Sequence, residues 1–425
     1  MKKKNVLIIA SGGREHAIGW KLRQSKQIGN IYFAPGNAGT ANVGSNTGIK
    51  ANDFDSLVQF AKENAIYLTV AGPDDILSAG IVNIFNSNGL RIFGPTKEAA
   101  QIESSKAFAK QLMQEEHIPT AKYKSFTSFP EAKDYVEKQG VPIVIKASGL
   151  ALGKGVVIAQ TMKDAVKALE NCMISKIFGA SGEEVVIEEF LQGPEVSIHA
   201  FSDGKDISVF PPSRDHKTIF EDNRGPNTGG MGTITPLPEI TKKQMHLIEK
   251  TIIKPIINGL YKRGIPFTGC LYPGLIMTKD GPKVIEFNCR FGDPETESYM
   301  RILKTDLLDI FDACVNETLA NTNIVWENTS ACCIILASKG YPSTSQKEIP
   351  IKGLEKTETR EDIAVFHCAT KEIHTQITTN GGRVLGITAT GNTLDAALHK
   401  AYKVIGNNGI HFDGMHYRKD IGKSK

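Results

Sequence analysis

Val284-Ile285-Glu286-Phe287-Asn288-Cys289-Arg290-Phe291-Gly292-Asp293-Pro294-Glu295 carries the most chemically pointed pattern in the chain. Val284, Ile285 and Phe287 are β-formers, and alternate side chains of a strand share a face. Glu286, Asn288 and Arg290 are therefore expected to project together. A carboxylate beside an amide oxygen makes a hard-oxygen seat for Mg²⁺. A guanidinium beside them suits phosphate oxygens, which it grips as a fork. The pattern reads as a metal–triphosphate site; the alternative is an amphipathic strand with one wet face.

Composition narrows the rest. With 425 residues, two to four domains are expected, and a 40% hydrophobic content supplies their cores. Lys+Arg 50 against Asp+Glu 46 leaves a net charge of +4, which is no footprint for nucleic acid. The seven cysteines form no Cys-x-x-Cys pair, as expected of reduced thiols rather than a disulfide or zinc framework. Met1 to Asn5 is followed by too short an apolar run for a signal peptide, and no stretch approaches membrane-spanning length. A soluble, cytoplasmic protein with no membrane partner is expected.

Residues 5–10 form an unbroken apolar strand running into Ser11-Gly12-Gly13-Arg14-Glu15-His16 and a helical pattern. A strand, a glycine turn and a helix start can bind an anion, with Arg14 adding charge; it can also be a tight turn that binds nothing. Strands at residues 31–34, 67–71 and 91–93 run into Pro35 to Thr40, Gly72-Pro73-Asp74 and Gly94-Pro95, with helices expected at 55–64 and 75–88. Alternating β and α gives a doubly wound parallel sheet with ligands at the carboxyl ends of its strands.

A helical connector at 96–116 carries Lys106. The strand 143–146 ends in Lys146, and Gly149 to Gly155 links it to a strand at 156–159. Such a hairpin lid can lay its N–H groups over phosphates, with Lys146 below; the alternative is a β-turn with a solvated Lys154. Glu184 to Leu191 is a strand whose end could present backbone groups to adenine, with Glu195 near ribose hydroxyls. Residues 211–232 hold Arg214-Asp215-His216-Lys217 and Gly225-Pro226-Asn227-Thr228-Gly229-Gly230-Met231-Gly232. With few apolar anchors they read as a long ligand-binding loop or a mobile surface loop. A helix at 241–263, a hairpin of 269–277 with 283–288 and a helix at 306–318 follow. From Trp326, strands at 332–337, 365–369 and 383–389 and a helix at 393–405 suggest a capping domain without catalytic residues of its own.

These motifs resemble the ATP-grasp ligases and, within them, the glycinamide ribonucleotide synthetase family. The residues carrying the resemblance are Ser11 to His16, Ala34 to Thr40, Asp215 to Lys217, Gly225 to Gly232 and Glu286 to Thr296. The resemblance implies an α/β and α+β multidomain protein. Residues 1–102 would form the doubly wound N-terminal domain, 103–325 an ATP-grasp core with a lid at about 122–190, and 326–425 an α+β C-terminal cap. It implies a monomeric, Mg²⁺- or Mn²⁺-dependent ligase of purine biosynthesis that joins glycine to 5-phosphoribosylamine through glycyl phosphate. Lys106 and Lys146 would take ATP phosphates, Glu188, Phe190 and Leu191 adenine, Glu195 the ribose, and Glu286 and Asn288 the metal. Arg290 would face the transferred phosphoryl group. Gly12, Gly13, Arg14, Asn37, Gly39, Thr40 and Asp74 would hold the ribose phosphate. Asp215, Lys217, Asp293, Asn227, Thr228 and Gly229 would seat glycine or its acyl phosphate.

Four residues depart from the family pattern: Asp74 replaces a usual glutamate, Ser148 an aspartate, Thr218 an arginine and Pro273 a small residue. Two other functions stay open on the residues alone. One is another ATP-grasp ligase, which would lack the Asp-His-Lys and Gly-Pro-Asn-Thr-Gly-Gly-Met-Gly pair. The other is a nucleotide-binding regulatory protein, which would bind ATP without turnover.

Overall fold

The computed structural model describes residues 3–151, 155–357 and 360–423. Leu152, Gly153 and Lys154 of the expected lid loop lie outside the described residues.

The N-terminal sheet has five parallel strands in the order Ser45–Asn46, Ile28–Pro35, Lys4–Ala10, Ile66–Ala71 and Ile92–Phe93. The apolar run in the central strand is unbroken because both faces are covered. Leu7 and Ile9 enter one core with Leu57 and Ala61 of the Phe54–Glu63 helix. Val6 and Ile8 enter another with Ala17 and Ile18 of the Gly13–Leu22 helix. This is the doubly wound arrangement expected. The helix expected at 75–88 is two helices, Asp74–Ser78 and Ile81–Ser87, parted at Gly80.

The lid is an antiparallel sheet, Tyr123–Phe126, Val185–Glu189, Ile143–Ala147 and Val156–Ala159. Ile143, Ile145, Val185 and Ile187 pack on Ala165 and Leu169 of the Met162–Leu169 helix, a core separate from the others. The central sheet is built around Thr268–Thr278, which pairs with Glu195–Ser197, Ala200–Asp203 and Gly281–Asn288. Gly274 pairs with Glu286 and Leu275 with Val284, so Ile285 is an extra residue in a bulge.

The C-terminal sheet is not self-contained. Its order is Arg214–Asp215, Gly232–Thr235, Ser330–Ala337, Arg383–Gly391 and Ile363–His367, all antiparallel. One of its strands, Arg214–Asp215, lies in the stretch read as a long loop and another, Gly232–Thr235, starts at its end; within the stretch Thr218–Phe220 pairs with Arg224–Asn227. These strands are two to four residues long, too short to print a period on the sequence. No helix among the described residues is long and apolar enough to cross a membrane.

Candidate active site

The lid, the central hairpin and the loop at Asn227–Gly229 enclose a cavity of about 690 Å³. One wall begins at the end of the Ile143–Ala147 strand. The bulge at Ile285 leaves that carbonyl outside the ladder, and Lys146 Nζ donates to it at 2.8 Å. Lys146 also lies 2.9 Å from Glu188 Oε1, which Lys110 approaches at 3.2 Å. All three side chains are buried, so one carboxylate stands between two lysines. Burial lowers the Lys110 amine to about 8 against the pull of Glu188. Lys106, first residue of the Lys106–Glu115 helix, donates to the Gly149 carbonyl at 3.3 Å, and burial lowers its pKa too. Phe190 and Leu191 line the wall where the Val185–Glu189 strand ends.

Glu286 and Asn288 lie two apart in the Gly281–Asn288 strand, as the alternation expects, while Arg290 lies two residues past its end. Glu286, Asn288 and Arg290 all line the cavity. Burial would raise the Glu286 carboxyl, but Lys217, Lys146, Lys106 and Arg290 outweigh it and hold the group below the usual range. Its nearest ion-pair partner is Lys217 Nζ at 3.8 Å, so its oxygens stay open to a cation. Asn288 Nδ2 donates to the Tyr272 carbonyl at 3.2 Å, and Asn288 Oδ1 accepts from Arg290 Nη2 at 3.1 Å. Arg290 in turn lies 3.2 Å from Glu103 and 3.9 Å from Asp74. Burial alone would weaken its charge; Glu103 and Asp74 more than restore it.

Beyond Arg290 the site turns acidic. Asp215 and Glu295 are buried or nearly so, and each has an oxygen without a hydrogen-bond donor among the described residues. Burial, then the charge of Glu295, pushes the Asp215 carboxyl well up. Lys217 faces both, as well as Glu195 at 3.7 Å. Gly230 lies against Asp215 with φ of +113°, where a Cβ would stand 2.6 Å from Asp215 Oδ1; only glycine fits. Asp293 pairs with Arg383 Nη2 at 2.9 Å. Burial would raise its carboxyl, but Arg383, Arg14 and Arg290 hold it down.

The N-terminal turn adjoins this corner without lining the cavity. Gly12 stands against Asp293, where a Cβ would lie 3.3 Å from Oδ2. Arg14 is buried, with Nε on Glu15 at 2.6 Å and Nη1 on the Phe291 carbonyl at 3.1 Å. Gly13 packs beside Glu297 and Cys368. Asn37 Oδ1 accepts from the N–H groups of Gly39 and Thr40 at 2.8 and 3.0 Å. Its Nδ2 donates to the carbonyls of Ser11 and His367 at 2.7 and 2.8 Å. Thr40 Oγ1 donates within the same loop. These two side chains shape the loop rather than reach into the cavity.

Four groups at the site were not singled out from the sequence: Glu103, Lys110, Glu295 and Arg383. Glu103 lies on a four-residue helix and Lys110 on an amphipathic one, where charge ordinarily means solvent. Glu295 closes the opening motif and could have been picked up from it. Arg383 heads a strand in the supposedly inert cap.

Models of the phosphoribosylglycinamide synthetase family match the chain in succession: the N domain over residues 4–103, the ATP-grasp (A) domain over 104–296 and the C domain over 331–424. A phosphoribosylamine–glycine ligase of Halalkalibacterium halodurans is 47% identical over 418 residues, 98% of this chain and 96% of that protein. The trifunctional purine biosynthetic protein adenosine-3 of Homo sapiens is 46% identical over 421 residues, 98% of this chain but 41% of that protein. Among solved structures, the phosphoribosylamine–glycine ligase of Thermotoga maritima superposes with a TM-score of 0.83 at 33% identity, over 98% of this chain and 100% of that one. Biotin carboxylase of Campylobacter jejuni, at 13% identity and a TM-score of 0.72 over 97% of this chain and 93% of that one, shares the fold.

Proposed function

Because the chain belongs to the phosphoribosylglycinamide synthetase family, we infer the following reaction for it. It is an ATP-dependent ligase that joins glycine to 5-phosphoribosylamine in purine biosynthesis, giving glycinamide ribonucleotide, ADP and phosphate. The observation that carries this reading is one cavity in which Lys106, Lys146, Lys217 and Arg290 surround the Glu286–Asn288 pair, beside a buried acidic corner.

A glycine carboxylate oxygen attacks the γ-phosphorus and ADP leaves. The ribosylamine nitrogen then attacks the carbonyl carbon of glycyl phosphate, phosphate leaves, and the nitrogen sheds a proton. Two anions must meet in the first step, so the cations supply the main electrostatic stabilisation. Lys106 and Lys146 bind the phosphates, and Arg290, aimed by Glu103, faces the transferred group. Asp215 and Glu295, two carboxyls crowded together, each with one oxygen lacking a donor among the described residues, suit the glycine ammonium; a bound ammonium relieves their mutual repulsion. Lys217 and the Asn227–Gly229 loop border the acyl phosphate.

Glu188 holds Lys146 and Lys110 in place, while Phe190 and Leu191 meet adenine and Glu195 the ribose. The Gly12–Arg14 turn, the loop shaped by Asn37, Gly39 and Thr40, and Asp74 hold the ribose phosphate. Glu286 and Asn288 would hold Mg²⁺ or Mn²⁺. Two oxygen donors fit a cation that takes its other ligands from water and substrate phosphates, and its charge neutralises triphosphate oxygens. Closure of the lid keeps water from the acyl phosphate.

We propose that the enzyme acts as a monomer. All seven cysteines are free and buried, which supports a reducing, cytoplasmic setting. The test is ADP release with Mg-ATP, glycine and phosphoribosylamine generated in situ, omitting one component at a time. Release that needs all three, with glycinamide ribonucleotide seen by mass, is expected; release without the amine or with a different acid overturns the substrate assignment.

A further inference from the structure

Arg383 is the first residue of a strand in the C-terminal sheet, yet the hydrogen bonds and ion pair of its side chain among the described residues are with the active-site rim. Nη1 donates to the Gly229 carbonyl at 2.7 Å and to the Asp293 carbonyl at 2.8 Å. Nη2 pairs with Asp293 Oδ1 at 2.9 Å. A second C-terminal side chain completes the hold: Tyr341, packed on Gly382 next to Arg383, accepts the Gly229 N–H at 3.0 Å through its hydroxyl. Both backbone groups of Gly229 are thus taken by the C-terminal sheet, in an otherwise exposed loop whose Asn227 and Thr228 line the cavity. The loop is also tied on its other side: Asn227 pairs with Thr218, and the Thr228 N–H and hydroxyl donate to the Lys217 carbonyl at 2.7 and 2.8 Å.

We propose that Arg383 and Tyr341 are positioning residues for the ligation. They fix the Asn227–Gly230 loop and the Asp293 carboxylate relative to Asp215 and Lys217, and so place the glycine-derived group without touching nucleotide. A planar fork is what the task needs: three acceptors on two segments are met by one rigid cation, which an amine cannot do. Arg383 also supplies the C-terminal counter-charge to Asp293, whose other face meets Gly12 of the N-terminal turn. One guanidinium therefore links the C-terminal sheet, the central loop and, through Asp293, the ribose-phosphate turn.

The kinetic consequence rests on the ligase reading; the structural one does not. The experiment therefore uses both readouts on the full-length protein, with Arg383→Gln, Arg383→Lys and Tyr341→Phe. In Arg383→Gln, kcat should fall about a hundredfold, as expected when a reacting group is displaced by about 1 Å. ADP affinity should stay within about threefold of wild type, and millimolar methylguanidinium should restore part of the rate. Arg383→Lys should recover little, because charge without the fork does not hold both segments. Tyr341→Phe, which removes one hydroxyl, should cost roughly fivefold in kcat, the scale of one neutral hydrogen bond. Hydrogen exchange at Thr228 to Gly230 should quicken in all three variants and stay unchanged in the lid strand Ile143–Ala147. Wild-type-like exchange at that loop overturns the proposal, whatever the wild type proves to ligate. So does an Arg383→Gln variant that loses ADP affinity and thermal stability in step with kcat, since that marks a merely structural residue. A wild type that ligates nothing sinks the ligase reading and leaves the exchange data to decide the positioning.

Discussion

The lid and the C-terminal sheet border the same cavity and are built in opposite ways. The lid folds around its own core of Ile143, Ile145, Val185 and Ile187, apart from the remainder of the molecule. The C-terminal sheet shares one core with the central and N-terminal domains: Ile334, Leu336 and Ile387 belong with Ile198, Leu271 and Leu7. A body with its own core can swing as a unit, and on the proposed reading the lid meets the nucleotide, which must enter and leave. A sheet that borrows strands and core from its neighbours cannot swing, and it fixes the loop where geometry decides the reaction. Mobility and precision are assigned to different parts of one wall.

Matched core truncations test that division most strongly. Leu336→Ala and Ile187→Ala each remove a fully buried side chain, and each should cost about 2–5 kcal/mol of local stability. Leu336→Ala should lower the main unfolding midpoint of the whole protein. Ile187→Ala should instead loosen the lid and weaken ADP binding, leaving the main midpoint nearly in place. Equal loss of global stability in both would erase the distinction.

Next in size, Glu286→Ala should lower kcat roughly a hundred- to a thousandfold, the range for removing one electrostatic stabiliser, with the melting curve unchanged. Near-normal ADP release would overturn its metal-holding role. Lys146→Ala should weaken ADP binding about tenfold to a hundredfold, the weight of a charged hydrogen bond, measured by titration calorimetry. An unchanged affinity would show that the lid wall does not carry the nucleotide.

The smallest effect concerns the seam between the N-terminal turn and the C-terminal sheet. There the His367 N–H donates to His16 Nδ1 at 2.9 Å. Burial lowers His367 from 6.5 to about 4, and burial and then His367 push His16 well down. The unfolded chain takes up these protons as pH falls below 6.5 and the folded chain resists them. The stabilisation is therefore complete above that value and is lost as pH drops toward about 4, by at most about 1.4 kcal/mol per pH unit for each histidine. His367→Asn should flatten the slope of urea stability between about pH 7 and about pH 5. A slope equal to the wild type's would place the acid sensitivity elsewhere.

The sequence was most legible where chemistry and strand coincide. The unbroken run before Ser11, the strand carrying Lys146 and the alternation of Glu286 and Asn288 announce their structure, because a strand's period is local; their partners, such as the Ile285 carbonyl for Lys146 and Lys217 for Glu286, lie far off in the chain. The groups that were not legible act across long separations. Glu103 reaches Arg290, Lys110 reaches Glu188, and Arg383 reaches Gly229, and in each case the local stretch looks like an ordinary charged surface. Asn37 and Thr40 lie in a distinctive motif, and its pattern did not announce that Asn37 Nδ2 would tie the loop to the Ser11 and His367 carbonyls. At residues 211–232 the scarcity of apolar anchors was real, but strands of two to four residues need only the neighbouring sheet to hold them.

The borrowed strands also set an order of events at the ribosome. Gly232–Thr235 emerges well before its partner Ser330–Ala337, and Arg383 emerges later still. Domains fold as they are made, so the lid, with its complete core, is finished early in synthesis. Until the C-terminal strands arrive, Gly232–Thr235 presents an unpaired edge that invites wrong partners. Arg383 and Tyr341 are among the last residues made, so the Asn227–Gly230 loop is without its C-terminal ties until synthesis is nearly complete.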